Sequence, residues 1–119
     1  MQLRCVIVDD DESFLDVARA SLERGGVIVA GVADSRAAAV QRVGVLRPDI
    51  VLVDIRLGAE SGFDVARDLA ASGHAGQLIM ISSYVEDDYA DLIEEAPVAG
   101  FLPKTQLSAV AIRRVLGMA

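Results

Sequence analysis

The chain has 119 residues and a mass of 12.6 kDa, which is the size of one domain. Its hydrophobic share of 53% predicts a folded core, and its net charge of -7 argues against a surface for nucleic acid or an anionic membrane. A single Cys excludes an internal disulfide, and a single His argues against catalytic triads and multi-histidine metal sites. Any chemistry is therefore expected to depend on carboxylates.

Five short apolar runs rich in Val and Ile predict strands, and they alternate with segments of helical periodicity. The predicted strands cover residues 3–8, 27–32, 50–53, 78–81 and 98–102. The predicted helices cover residues 12–24, 35–46, 62–71, 87–96 and 106–118. No run approaches the ~18 apolar residues of a membrane span, and the N-terminus has no signal-peptide cleavage site. We therefore expect one cytoplasmic domain over residues 1–119.

The alternation of strands and helices predicts an α/β fold with a parallel sheet between two layers of helices. In such sheets, ligands bind beyond the carboxyl ends of the strands. Polar residues follow four of the predicted strands: Asp9-Asp10-Asp11, Asp54, Ser82-Ser83 and Lys104-Thr105. We therefore expect three carboxylates, a hydroxyl group and an ammonium group to converge at one edge of the sheet.

Clustered carboxylates repel one another, and a divalent cation relieves that repulsion. Carboxylates with water ligands suit Mg2+, and the chain has no calcium-binding loop pattern. Taken singly, the acidic run also suits a helix N-terminus, Ser82 a turn and Lys104 a solvated strand end. A purely structural role is harder to assign to Asp54, because burying an unpaired carboxylate at the end of a strand costs folding free energy.

In these positions the chain resembles the receiver domains of two-component response regulators, and the resemblance covers nearly its whole length. Val6-Ile7-Val8-Asp9-Asp10-Asp11 is similar to the family's acidic motif, and the run from Pro48 to Asp54 is similar to the approach to its phosphoacceptor aspartate. Gly62 matches the glycine that closes the following loop. Ser82, Phe101 and Lys104 stand at the switch hydroxyl, the switch aromatic and the family lysine. The resemblance implies a flavodoxin-like sheet of order 2-1-3-4-5 with five helices.

The resemblance also implies roles for these residues. Asp54 would accept a phosphoryl group from a sensor histidine kinase or a phosphotransfer protein. Asp10, Asp54 and the backbone carbonyl of Arg56 would bind Mg2+ (or Mn2+). Asp9 would contact the ion mainly through a bound water molecule. Lys104 would pair with Asp54 and then with the phosphoryl oxygens.

The implied switch joins the site to a distant face. Ser82 would donate a hydrogen bond to the phosphoryl group, and Phe101 would turn inward as Ser82 moves. The face formed by the fourth helix, fifth strand and fifth helix would then respond. The fourth helix has acidic residues and the fifth has basic ones, which suit a homodimer, although two solvated faces explain them equally well. These residues are Glu86, Asp87, Asp88, Asp91, Glu94, Glu95, Arg113 and Arg114.

Two departures from the family pattern concern the loops around the site. Leu57-Gly58 replaces the usual Met-Pro after the acceptor, and Gly58 is expected to make that loop less stiff. Thr105 replaces the proline that usually follows the lysine in a cis bond, which leaves the geometry of the Lys104–Thr105 bond open.

The third departure concerns the lifetime of the phosphorylated state. Arg56 and Tyr84 stand at the two positions that flank the approach of a hydrolytic water. Neither is a carboxylate or an amide that would orient that water, so we expect them to shield the phosphoryl group and slow its loss. An arginine can also stabilise the transition state, which would have the opposite effect.

Three other classes of protein could have such a carboxylate group. A Mg2+-dependent phosphatase or dehalogenase with an aspartyl nucleophile usually has a second acid two residues later, where this chain has Arg56. A degenerate receiver would act only as a binding module, yet every expected site position has a competent residue. A nucleotide-binding domain would need a glycine-rich phosphate loop after the first strand, and none is present.

The favoured interpretation has further consequences. The chain would catalyse only its own phosphorylation and dephosphorylation, and would itself contact neither nucleic acid nor a membrane. It would act alone or together with an output domain, for example one that regulates transcription. His74, the single histidine, is expected to be a solvated loop residue away from the site.

Overall fold

Five parallel strands form the central sheet of the computed structural model, which describes residues 2–83 and 89–118. They are β1 (Arg4–Val8), β2 (Ile28–Ala33), β3 (Ile50–Asp54), β4 (Gln77–Ser82) and β5 (Gly100–Pro103). Their order in the sheet is β2-β1-β3-β4-β5, as predicted. The strand order reverses between β1 and β3, which is where ligands bind in sheets of this kind.

Within the described ranges, five α-helices connect or follow the strands. They are α1 (Glu12–Arg24), α2 (Arg36–Leu46), α3 (Gly62–Ser72), α4 (Ala90–Glu95) and α5 (Ala109–Val115). Four of these begin with a side-chain cap, because Asp11, Ser35, Ser61 and Ser108 each accept a hydrogen bond from a first-turn N–H group. None of the described helices is long and apolar enough to cross a membrane.

The last helix is shorter than predicted. Residues Lys104–Gln106 form a separate 3-10 turn, Leu107 is extended, and Ser108 caps α5 by accepting a hydrogen bond from Ala111 N at 3.0 Å. Leu107 still packs against the core, so apolar spacing alone could not separate it from the helix. The predicted fourth helix falls partly on residues 84–88, which lie outside the described residues.

Side chains at alternating strand positions pack on opposite faces of the sheet. Val6, Val8, Val51, Val53 and Met80 belong to the core on one face. Cys5, Ile7, Leu52, Ile79 and Ile81 belong to the core on the other face. Every residue of β3 is buried, so the carboxylate of Asp54 is held at the end of a strand that is covered on both sides.

A short antiparallel ribbon follows β3 and was not predicted. Residues Arg56–Leu57 pair with Glu60–Ser61 around a two-residue turn, in which Gly58 has a φ of 60°. Tight hairpin turns require positive φ values of this kind, which glycine adopts without strain. Leu57 is buried in the core. Leu57 is therefore in a strand and Gly58 in a defined turn, whereas the sequence suggested only a less stiff loop.

Candidate functional site

The ammonium group of Lys104 lies between two carboxylates at the carboxyl edge of the sheet. Lys104 Nζ is 2.6 Å from Asp9 Oδ2 and 3.1 Å from Asp54 Oδ2, and it donates a hydrogen bond to Asp54. Asp9 follows β1, Asp54 ends β3 and Lys104 follows β5. The parallel sheet thus brings together three side chains from distant parts of the chain.

The backbone around β1 holds Asp9 in place. Asp9 N donates a hydrogen bond to Ala33 O at 2.9 Å, and Asp9 Oδ1 accepts one from Asp11 N at 2.9 Å. The other oxygen, Oδ2, is buried and forms an ion pair with Lys104. The angles of this contact are not those of a hydrogen bond, and Oδ2 accepts no hydrogen bond from the described residues. A buried carboxylate oxygen in this situation favours a bound cation.

Three carboxylates offer ligands for that cation. Asp9, Asp10 and Asp54 each present one oxygen, and these oxygens lie within 4.8 Å of one another. Asp9 and Asp54 are buried, whereas Asp10 is exposed, so one side of the group is open to water. Oxygen ligands with room for several waters suit Mg2+ or Mn2+. The residues present therefore fit a divalent cation.

The surroundings of Asp54 weaken its acidity. Burial and the neighbouring Asp9 carboxylate raise the pKa of Asp54 to about 6, while Lys104 and the hydrogen bond from Arg56 N oppose the rise. Arg56 N donates to Asp54 Oδ1 at 3.2 Å, so each carboxylate oxygen has a donor. Burial lowers the pKa of Lys104, but the contacts with Asp9 and Asp54 raise it overall. Lys104 is therefore a fixed positive charge at neutral pH.

Two further predicted residues lie on β4 and β5, the two strands that follow β3 in the sheet. Ser82 is buried at the end of β4, one residue beyond Ile81, which pairs with Asp54. Phe101 lies in the middle of β5, opposite Met80, and is half-buried against the core. The hydroxyl group is thus on the strand next to Asp54, and the aromatic ring is on the strand beyond it.

Arg56 contributes to the site through its backbone and extends its side chain elsewhere. Its exposed guanidinium donates from Nε to the Tyr89 hydroxyl at 3.2 Å, and the Tyr89 ring lies 6.3 Å from the Phe63 ring. The side chain is therefore directed toward the start of α4. Tyr84, its expected companion, lies outside the described residues. The predicted role of the Arg56 carbonyl as a metal ligand stays a prediction.

Two aromatic neighbours of the site were not predicted from the sequence. The ring of Phe14 lies with its centroid 4.5 Å from Lys104 Nζ, and Tyr89 binds Arg56. Helical periodicity accounts for both as residues of apolar helix faces, which is also where their rings pack. Phe14 could have been recognised as a neighbour of the site, because it is an aromatic residue in the first helical turn after the acidic motif.

The sequence leaves the geometry of the Lys104–Thr105 peptide bond open, and it predicts that His74 lies away from the site. The Lys104–Thr105 peptide bond is trans. His74 lies in the turn before β4, at the opposite edge of the sheet from Asp54, and its N–H donates to Ser72 Oγ at 3.2 Å. His74 therefore has no direct part in the carboxylate group.

Comparison with known proteins agrees with this geometry. The model of the response regulator receiver domain family matches residues 5–115. EvgA, a DNA-binding transcriptional activator of Escherichia coli K12, is 26% identical over 104 residues, which are 87% of this chain and 51% of EvgA. NarL of Mycobacterium tuberculosis H37Rv, named as a transcriptional regulatory protein, is 30% identical over 119 residues, which are 99% of this chain and 55% of NarL.

A solved structure extends the likeness to three dimensions. The signal receiver domain of NarL from Mycobacterium tuberculosis has a TM-score of 0.84 and 28% identity, over 98% of this chain and 94% of that chain. The chain spans about half the length of the curated relatives that it matches. The family match covers nearly all of this chain, and the sheet order agrees with it. The chain therefore belongs to the family of response regulator receiver domains.

Proposed function

We propose that this receiver domain accepts a phosphoryl group on Asp54 from a sensor histidine kinase or a phosphotransfer protein. The observation that carries the proposal is the position of Lys104 between Asp9 and Asp54, beside the exposed carboxylate of Asp10. Phosphoryl transfer depends mainly on placement and on neutralising oxygen charge. An aspartate nucleophile with a fixed ammonium and a cation-binding carboxylate group supplies both.

The transfer uses the Asp54 carboxylate as the nucleophile. One of its oxygens attacks the phosphorus of the donor phosphohistidine. The P–N bond breaks, and the imidazole nitrogen takes the electron pair and a proton. Lys104 then moves its contact from the carboxylate to the phosphoryl oxygens, and Ser82 donates a hydrogen bond to them. The domain acts on no other substrate, and catalyses only its own phosphorylation and dephosphorylation.

A divalent cation, Mg2+ or Mn2+, is part of the proposal. Asp10 and Asp54 would hold it directly, Asp9 mainly through water, and Arg56 through its backbone carbonyl. When bound, the cation supplies positive charge that stabilises the phosphoryl oxygens. The buried, incompletely satisfied Oδ2 of Asp9 supports this assignment.

The proposed output is a change on the face of α4, β5 and α5. Movement of Ser82 toward the phosphoryl group would let Phe101 turn inward and so alter this face. Phe101 is half-buried against the core, so part of its surface is still exposed and would be covered by an inward turn.

The charges of this face suit a homodimer in which α4 meets the partner's α5. Exposed acidic groups line α4, at Asp91, Glu94 and Glu95. On α5, Arg113 donates to Gly25 O at 3.4 Å, so Arg114 is the exposed arginine of the pair. Glu86, Asp87 and Asp88 lie outside the described residues. Sedimentation with and without a phosphoryl mimic tests the dimer, and an unchanged monomer would count against it.

The extent, the location and the regulatory role of the domain are also part of the proposal. We infer one receiver unit over residues 1–119 that works in the cytoplasm and contacts neither nucleic acid nor a membrane itself. EvgA and NarL are named as transcriptional regulators, which supports a role in controlling transcription through a further domain or partner.

Labelling by a small phosphodonor such as acetyl phosphate tests the acceptor. With Mg2+ present, the parent protein should gain one phosphoryl group by intact mass, and Asp54→Asn should gain none. Asp16→Asn is a matched control, since Asp16 is an exposed carboxylate on α1 that lies outside the metal-binding group. Undiminished labelling of Asp54→Asn, or an unlabelled parent, would contradict the proposal.

A further inference from the structure

We infer that Phe14 is a positioning residue for Lys104, and that the face of its ring holds the ammonium group in place during phosphoryl transfer. The inference rests on the proposed function, since it assigns a role in that reaction. Lys104 Nζ lies 4.5 Å from the centroid of the Phe14 ring. This distance is inside the ~6 Å over which an aromatic face attracts a cation.

The chain fixes the ring with respect to the carboxylates. Phe14 lies in the first turn of α1, and its N–H donates to the side chain of Asp11, the helix cap, at 3.2 Å. The ring is half-buried and packs against the core on the α1 side of the sheet. Asp9 and Asp10 immediately precede this cap. One short segment therefore supplies both the acidic group and the ring.

Among the described residues, the other contacts of the Lys104 ammonium group are its two ion pairs, with Asp9 and Asp54. Lys104 has a long, flexible side chain, and it lies just after β5, an edge strand. An ammonium group has three N–H donors, and here its neighbours are Asp9, Asp54 and the Phe14 ring. The side chain of Lys104 is only 12% exposed. The ring thus occupies a side of the ammonium group where water would otherwise bind.

The reaction makes this third contact important. When Asp54 is phosphorylated, Lys104 must move one of its contacts from the carboxylate to the phosphoryl oxygens. Phosphorylation changes the contact with Asp54 and leaves the contacts with Asp9 and with the Phe14 ring chemically unchanged. Phe14 therefore restricts the path of the ammonium group while its partner Asp54 changes.

Fluorinated phenylalanines at position 14 test this role. Successive fluorination withdraws electrons from the ring face and changes the ring's shape little. The same series at Phe63 is a matched control, because that buried ring contacts Tyr89. With acetyl phosphate and Mg2+, the labelling rate should fall stepwise at position 14, by about three- to tenfold for the trifluoro ring. It should stay constant for Phe63. A flat rate at position 14, or an equal fall in both series, would overturn the inference.

A second measurement separates this inference from the proposed function. In urea unfolding, fluorination at position 14 should lower stability in the parent and have no such effect after Lys104→Met. Equal effects in both backgrounds would mean that the ring only packs against the core.

If Lys104→Met does not fold, an NMR measurement replaces the comparison of unfolding in the two backgrounds. It records the upfield shift that the Phe14 ring induces in the Lys104 ε-protons. That shift should persist in Phe14→Tyr and be lost in Phe14→Leu, and its absence from the parent would overturn the inference. If the parent accepts no phosphoryl group, the proposed function fails and these measurements still decide the contact.

Discussion

Gly62 packs directly against the backbone carbonyl of Asp54, so closely that a β-carbon at Gly62 would overlap that oxygen. Gly62 N also donates to Ile55 O at 2.8 Å, which connects the start of α3 to the residue that follows Asp54. The glycine is needed here for its small size, since its φ is not positive. The position of Asp54 thus depends on the residue that begins the next helix.

Gly62→Ala should therefore destabilise the protein and displace the backbone of Asp54. Backbone atoms of residues 54 and 55 would have to move, which we expect to cost about 1–3 kcal/mol of unfolding free energy. Gly44→Ala is the matched control, because a β-carbon there meets nothing within 4 Å in the interior of α2. That change should stabilise by about 0.5–1 kcal/mol. Urea unfolding checks both signs, and equal effects would refute the close contact.

Mg2+ should stabilise the folded protein by mass action. Binding to the folded state alone raises the unfolding free energy by about 2.7 kcal/mol at a hundredfold excess over the dissociation constant. Asp10→Ala should remove most of this gain. Asp16→Ala removes an equally exposed charge on α1 and should keep it. Thermal melts with EDTA and with Mg2+ compare the three proteins, and a parent melting temperature indifferent to Mg2+ would argue against the site.

The raised pKa of Asp54 predicts an unusual pH dependence without metal. The pKa is about 6 in the folded protein, against an ordinary value of 3.8, so the folded state binds this proton more tightly than the unfolded state. The group's contribution to stability is therefore present below about pH 4 and is lost as the pH rises through about 6, by about 2–3 kcal/mol.

Asp54→Asn removes that titration. In EDTA, the variant should become more stable relative to the parent as the pH rises from 4 to 7. Urea unfolding at several pH values in this range measures the difference. A difference that stays constant, or that shifts in favour of the parent, would show that the Asp54 pKa is not raised.

The sequence predicted most of the fold and the grouping of the site residues. Asp9 and Asp54 each follow an apolar run, and a parallel sheet necessarily brings such residues to one edge. The start of α5 was wrong because Leu107 continues the apolar spacing from an extended segment. The ribbon after β3 was missed because its two-residue strands are too short to show a pattern.

The directions of individual side chains also could not be predicted from the sequence. The guanidinium of Arg56 was expected near the phosphoryl group, and in the structure it donates to Tyr89. Helical periodicity explains Phe14 as a core residue, and in the structure its ring also contacts Lys104. Such contacts join residues distant in sequence through packing, and no local pattern encodes them.

The expected slow loss of the phosphoryl group depends on Arg56 and Tyr84. Arg56 lies two residues beyond Asp54, and its side chain is exposed, so it can move from the Tyr89 hydroxyl to cover the phosphoryl oxygens. Tyr89→Phe is an informative control, because it removes that hydroxyl and keeps an aromatic ring for the contact with Phe63. If shielding is the role of Arg56, this variant should lose phosphate no faster than the parent.

Replacing both shielding residues should have the opposite effect. Arg56→Asn combined with Tyr84→Glu removes two bulky side chains and introduces an amide and a carboxylate that can orient a water. Positioned groups of this kind commonly accelerate proton transfer by ~100-fold or more, so an acceleration of at least about tenfold is expected. Phosphoryl loss from Asp54 is followed over time with Mg2+ present, by intact mass, in the parent, the double variant and Tyr89→Phe. A double variant that loses phosphate no faster than the parent would show that Arg56 and Tyr84 do not shield the phosphoryl group, and faster loss from Tyr89→Phe would indicate that the freed arginine promotes hydrolysis.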